Sequence, residues 1–174
     1  MDAFDAAYLA GFLDGDGSIH FQLVRQGQYK YGFYIRASLS LTQSTSARWG
    51  LEHLQDLLGG DGYLRDRGTG ISDLVITSRP HLAMILAEVQ PYVVFKREHV
   101  KRALELLPQI QPRMTAPEFL RVAKQVDAFA TLNYSKKKQI SAADVEQHLR
   151  STGRLTPVTT LLVADQEDGA QRHE

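Results

Sequence analysis

Cysteine is absent from the 174-residue chain, which excludes disulfides and thiolate metal sites and argues against a small secreted scaffold. Nor is there an apolar run near the roughly 20 residues that a membrane-spanning helix needs. The opening residues Met1-Asp2-Ala3-Phe4-Asp5 are acidic, unlike the basic start of a signal or transit peptide. Net charge is also missing, because 20 Lys and Arg balance 20 Asp and Glu. A neutral chain looks like a poor partner for nucleic acid, but the distribution reverses that impression. Residues 18–43 contain Arg25, Lys30 and Arg36 and no acid, whereas residues 155–174 set Arg172 against Asp165, Glu167, Asp168 and Glu174. The balance hides a basic body and an acidic tail. The length suits one domain, expected over residues 1–154, with a disordered tail over 155–174.

What is present is organised around residues 6–17. Read as a helix, Ala7, Gly11 and Gly15 recur every four residues, with Ala6 and Ala10 beside them. Such a stripe has almost no side chain and lets another helix backbone approach closely. Leu9, Phe12 and Leu13 form a bulky face that needs a core. The stripe ends at Asp14 and Asp16, alternating with glycine, where the negative end of the helix makes clustered carboxylates unfavourable unless a cation offsets them. An ordinary solvated Asp-Gly turn is the competing reading, since such turn signals are common.

Downstream, residues 18–26 alternate with period two, burying Ile19, Phe21 and Leu23. After a Gly27-Gln28 turn, residues 31–43 read as a second strand burying Phe33, Ile35, Leu39 and Leu41, so the two make an antiparallel hairpin with one wet face. A helix over 44–58 has Trp49, Leu51, Leu54, Leu57 and Leu58 on its apolar side. A second hairpin joins 63–67 to 71–78, and helices follow near 80–88, 95–107, 116–132 and 142–150. Thr115-x-x-Glu118 and Ser141-x-x-Asp144 are capping boxes for the last two.

The nonapeptide Leu9-Ala10-Gly11-Phe12-Leu13-Asp14-Gly15-Asp16-Gly17 resembles the motif of the LAGLIDADG homing endonucleases, departing from it at Phe12, Leu13 and Gly15. It occurs once, as in the small homodimeric members, and the element order matches the α-β-β-α-β-β-α core of that α+β fold. The resemblance implies an intron-encoded, site-specific DNA endonuclease that cuts both strands near the dyad of a long pseudo-palindromic site and leaves 3′ overhangs. It implies Mg²⁺ as cofactor, with Mn²⁺ as an alternative and Ca²⁺ supporting binding without cleavage. By the same resemblance Asp16 is a direct metal ligand, Gly15 contributes its carbonyl, Gln43 orders water, and Lys96 supports the nucleophilic water and the phosphate charge. Asp14 takes the part of a helix-terminus residue instead of a ligand. The family's arginine shortly after the glutamine is replaced by Ala47, and Arg48 stands one position out of register, a swing of about 100° on a helix. The compartment would be that of the host intron's genome, an organelle or a prokaryotic cytoplasm, with no membrane partner.

The outward face of the two hairpins carries mixed donors and acceptors: Ser18, His20, Gln22, Gln26, Gln28, Tyr29, Lys30, Tyr34, Arg36, Ser38, Ser40, Arg65, Arg67, Asp73 and, among them, Val75. Major-groove base edges present that kind of pattern. A strand of about ten residues spans roughly 33 Å, near one turn of B-DNA, so a subunit reads roughly ten base pairs of double-stranded DNA. Lys136 and Lys137 lie in a segment that resembles a family loop touching the DNA backbone. Isologous pairing of the Ala7-Gly11-Gly15 stripe, with Tyr8 and Phe12 beside it, would make the homodimer and bring two copies of Asp16 together. Packing of the stripe within one chain is the alternative. An intron RNA maturase, or a DNA-binding protein that does not cut, remains open on the same fold.

Overall fold

The computed structural model describes residues 1–133 and 140–155. Lys136, Lys137 and residues 156–174 of the acidic tail lie outside the described residues. Helix α1 (Ala3–Asp16) starts at Asp2, whose carboxylate accepts the amides of Phe4 and Asp5 and so satisfies two of the orphan donors at a helix start. It runs into the hairpin β1 (Gly17–Arg25) and β2 (Phe33–Ser44), then a 3₁₀ turn and α2 (Arg48–Leu57). The second hairpin, β3 (Tyr63–Asp66) and β4 (Ile71–Ile76), leads to α3 (Arg79–Val89), α4 (Arg97–Leu106), α5 (Ala116–Ala130) and α6 (Ala142–Ser151). Both expected capping boxes form, at Thr115 and at Ser141.

The hairpins join into one four-stranded antiparallel sheet, ordered β1-β2-β4-β3. The second strand of each hairpin is therefore central, and Leu39 to Ser44 pair with Ile76 to Ile71. One face buries Ile19, Phe21, Phe33, Ile35, Leu39, Leu41, Leu74 and Ile76 against the helices. Each such side chain contributes about 1.5–3 kcal/mol by leaving water. Against that layer α1 buries only Ala6, Leu9, Ala10 and Leu13, so the helix is anchored by one edge.

Two local expectations are corrected. The first turn reaches from Gln26 to Gly32, closed by the Gln26 amide on the Gly32 carbonyl at 2.8 Å, so β2 begins at Phe33 and not at Tyr31. Gly32 has φ +71°, and a Cβ there would stand 2.9 Å from His148 Nε2, so both conformation and space require glycine. Trp49 is 72% exposed instead of core. The 3₁₀ turn Thr45–Ala47 delays the helix to Arg48, and the inward stripe becomes Leu51, Leu54 and Leu58, roughly opposite Trp49.

Candidate functional site

The C-terminal end of α1 gathers the chemistry. Asp16 is exposed, and among the described residues no hydrogen bond or ion pair holds its carboxylate. Asp14, two residues earlier, is fully committed. Its Oδ2 accepts the Val94 amide at 2.6 Å and its Oδ1 the Lys96 amide at 2.8 Å, while the Lys96 ammonium donates to the Asp14 carbonyl at 2.7 Å. Burial would raise the Asp14 carboxyl pKa, but the amides of Val94, Lys96 and Phe95 outweigh it and hold the group below its ordinary value. Burial lowers the Lys96 ammonium pKa by more than the opposing charges of Asp14 and Asp16 raise it. A cation of weakened basicity thus stands beside the free carboxylate, 80 residues away in sequence.

Among the described residues no three acidic, histidine or cysteine side chains converge on one point. One exposed carboxylate is therefore the side-chain donor set at this end, Asp14 being spent on the Val94 and Lys96 amides. That set fits a hard divalent ion, which takes one or two carboxylates and fills its remaining positions with water and phosphate oxygens.

Gln43 pairs with Ser72 at the end of β2, and its side-chain oxygen accepts the Ser44 amide at 2.8 Å. Beside it, Ser72 donates to Asp66 at 2.6 Å and meets the Thr45 hydroxyl at 2.9 Å. Arg48 donates to the same Asp66 oxygen at 2.8 Å and pairs with Glu52 at 3.1 Å. The guanidinium next to Ala47 is accordingly held by β3 and its own helix.

On the outer face of the sheet the strands form rows. Ser18, Ser40, Val75 and Tyr63 make one row across all four strands; His20 faces Ser38, and Gln22 faces Arg36. The Arg36 guanidinium donates to Gln22, and Tyr29 stacks on Tyr34 with ring centroids 4.8 Å apart. Burial, then the nearby charges of Arg36 and Arg67, lower the His20 pKa. Gln26, Gln28, Tyr29 and Lys30 are exposed in the turn.

Three expected outward groups differ. Val75 and Ser40 sit on this face but in its central strands, and neighbouring rows bury them to 5% and 9% exposure. Asp73 is wholly covered. Arg65 donates to it at 2.7 Å, Arg67 forms two bonds at 2.6 and 2.7 Å, and Thr42 adds one at 2.8 Å. The two arginines stay about half exposed. Asp73 thus aims guanidinium groups outward and presents no acceptor of its own. Thr42, absent from the outward set expected from the sequence, continues the period-two series of Ser38 and Ser40.

Ala7, Gly11 and Gly15 face away from the body of the chain, and an added Cβ on either glycine would touch nothing within 4 Å. Packing of the stripe within the described chain is therefore ruled out. Phe4, Tyr8 and Trp49 are exposed on α1 and α2, and Phe12 is half-buried.

A helix ending in one free carboxylate is thus set beside a sheet whose outer face is polar and basic. Residues 9–97 match the family model described as LAGLIDADG endonuclease, and the chain belongs to that family. It is 36% identical over 145 residues to the DNA endonuclease I-CreI of Chlamydomonas reinhardtii, a match covering 83% of this chain and 88% of that one. To the DNA endonuclease I-CvuI of Chlorella vulgaris it is 30% identical over 154 residues, 88% of this chain and 95% of that one. The crystal structure of I-CvuI in complex with its target in the presence of calcium superposes with a TM-score of 0.83 at 29% identity, covering 88% of this chain and 98% of that one.

Proposed function

We infer that this chain is a site-specific DNA endonuclease, working as a homodimer. The observation that carries the reading is the free Asp16 carboxylate at the end of a helix whose small-residue stripe has no partner in its own chain. Close pairing of two such helices about a two-fold axis brings both copies of Asp16 together. Mutual repulsion of the carboxylates would then be offset by divalent cations, which Asp16 and the Gly15 carbonyl would hold together with DNA phosphates. When bound, such an ion lowers the pKa of a water and stabilises the leaving oxygen of phosphodiester hydrolysis. Mg²⁺ suits the donor set, and Mn²⁺ would substitute for it.

The side chains supply the rest. Lys96 places a cation beside the scissile phosphate, and Gln43 orients water at the end of β2. Arg36, Arg65, Arg67, His20, Gln22 and the turn residues 26–30 read and grip the duplex. Strand cleavage on both sides of the dyad, leaving 3′ overhangs, belongs to this reading.

The test uses duplexes selected from a randomised library by binding to the wild-type chain in Ca²⁺. Wild type should cut them in Mg²⁺, while Asp16→Asn should bind equally and cut at least about 10³-fold more slowly, the scale of losing a principal electrostatic group. Selected duplexes that remain intact with wild type at every Mg²⁺ and Mn²⁺ concentration would establish a binding protein instead.

A further inference from the structure

The contacts of Asp14 reach further than closing its own helix. Between Val89, the end of α3, and Arg97, the start of α4, the chain is irregular and turns at Pro91. Of this stretch Val93 is buried at 1% exposure, whereas Val94 and Phe95 are 65% and 84% exposed and draw nothing from the core. Lys96 is also the N-cap of α4, its carbonyl accepting the Val100 amide at 2.9 Å, and the amide side of Val94–Lys96 is held by α1. Both Asp14 oxygens accept amides there, and the carbonyl of the same residue accepts the Lys96 ammonium. A single residue thus grips Lys96 at its backbone and at its side-chain tip, two positions before Asp16.

We propose that Asp14 is the positioning residue for Lys96, fixing that ammonium to the helix end that carries Asp16 so that pairing of α1 sets both groups at once. This rests on the nuclease reading of the site. Charge-assisted bonds to two amides are roughly twice as strong as neutral ones. Asparagine keeps only one carbonyl oxygen, and its amide nitrogen cannot accept the second N–H. In Asp14→Asn the Val94–Lys96 segment is released from one side and the ammonium loses its fixed place, while Asp16, Gln43 and the DNA-reading sheet are untouched.

The experiment is a double-mutant cycle in the full chain on the selected duplexes, with Asp14→Asn, Lys96→Met and the pair. Single-turnover cleavage in Mg²⁺ should fall about 10–100-fold in Asp14→Asn, while affinity in Ca²⁺ changes less than about two-fold. With methionine at 96, adding Asp14→Asn should cost less than about two-fold, because the two residues act as a unit. A loss of equal size whether lysine or methionine stands at 96 would overturn the proposal, since a general weakening of the helix end adds independently. Hydrogen exchange gives a reading free of activity. The Val94 and Lys96 amides should exchange slowly in wild type and at least about ten-fold faster in Asp14→Asn. Unchanged exchange would also overturn it. If wild type cuts none of the duplexes, the nuclease reading fails on its own, and the two amides still decide whether Asp14 holds Lys96.

Discussion

Asp73 illustrates how one side chain changes meaning between sequence and structure. Its place on an outward-facing strand suggests an acceptor for a base, but five hydrogen bonds from Arg65, Arg67 and Thr42 consume it. Burial would raise its pKa, yet the bonds from Arg67, Arg65 and Thr42 prevail and lower it to about 2. An acid whose folded pKa is depressed stabilises the fold fully above its unfolded value near 3.8 and loses that contribution as pH falls towards 2. Thermal melts of wild type should therefore show a drop in Tm between about pH 4 and 2 that is smaller in Asp73→Asn. Near neutral pH, Asp73→Ala should cost on the order of 1–2 kcal/mol, below the usual value for a broken buried pair because the arginines are half in water. For a domain of this size that is about 3–6 °C in Tm. DNA binding should weaken as well, since the two guanidinium groups lose their aim.

At the scale of the element, α1 performs two tasks along its length, and its glycines separate them. Gly11 and Gly15 have open space where a Cβ would go, whereas a Cβ on Gly17 would stand 2.7 Å from the Leu13 backbone. Gly17 is where the chain turns from helix into β1, and its amide donates to the Leu13 carbonyl. Gly17→Ala should consequently destabilise the fold itself, by about 1–3 kcal/mol in denaturant melts, as overpacking does. Gly11→Leu should behave in the opposite way. Glycine is about 0.8–1.0 kcal/mol worse than alanine in a helix and leucine ranks close behind alanine, so the folded chain should be at least as stable. Sedimentation should find a monomer, and cleavage should disappear although no ligand has changed. A dimer of Gly11→Leu that still cuts would show that the stripe is not the pairing surface.

For the whole molecule, each chain carries one free Asp16 and one polar sheet, which is half of what double-strand cleavage requires. The neutral total charge conceals this design, because Arg25, Lys30, Arg36, Arg65 and Arg67 lie on the sheet and in its turns, while residues 155–174 set four acids against one arginine. Binding should accordingly depend on salt like other phosphate-neutralising interactions. Between 50 and 200 mM salt the affinity of wild type for its selected duplex should fall at least about 10-fold, and removing Arg36 should make the slope shallower by about one. Fluorescence anisotropy titrations at several salt concentrations measure both. A slope near zero would remove DNA as the partner. Among the described residues no helix is long and apolar enough to cross a membrane.

Much of this was legible because it is encoded locally. The period-two runs at residues 18–26 and 31–43, the capping boxes at Thr115 and Ser141, and the nonapeptide at Leu9–Gly17 specify strands, helices and the place of Asp16 through nearest neighbours alone. Side-chain fate in the assembled sheet was not legible. Val75 and Ser40 are covered because β2 and β4 became the central strands, an order that no alternation pattern contains. The hold of Asp14 on Lys96 and of Asp66 on Arg48 joins residues far apart in the chain. Local chemistry determined the elements, the motif and the small-residue stripe of α1, and the fold left that stripe open. Only the tertiary structure decided that Asp14, Asp66 and Asp73 are spent inside the chain while Asp16, at the end of α1, is left free, because hydrogen-bond partners are chosen by packing in space.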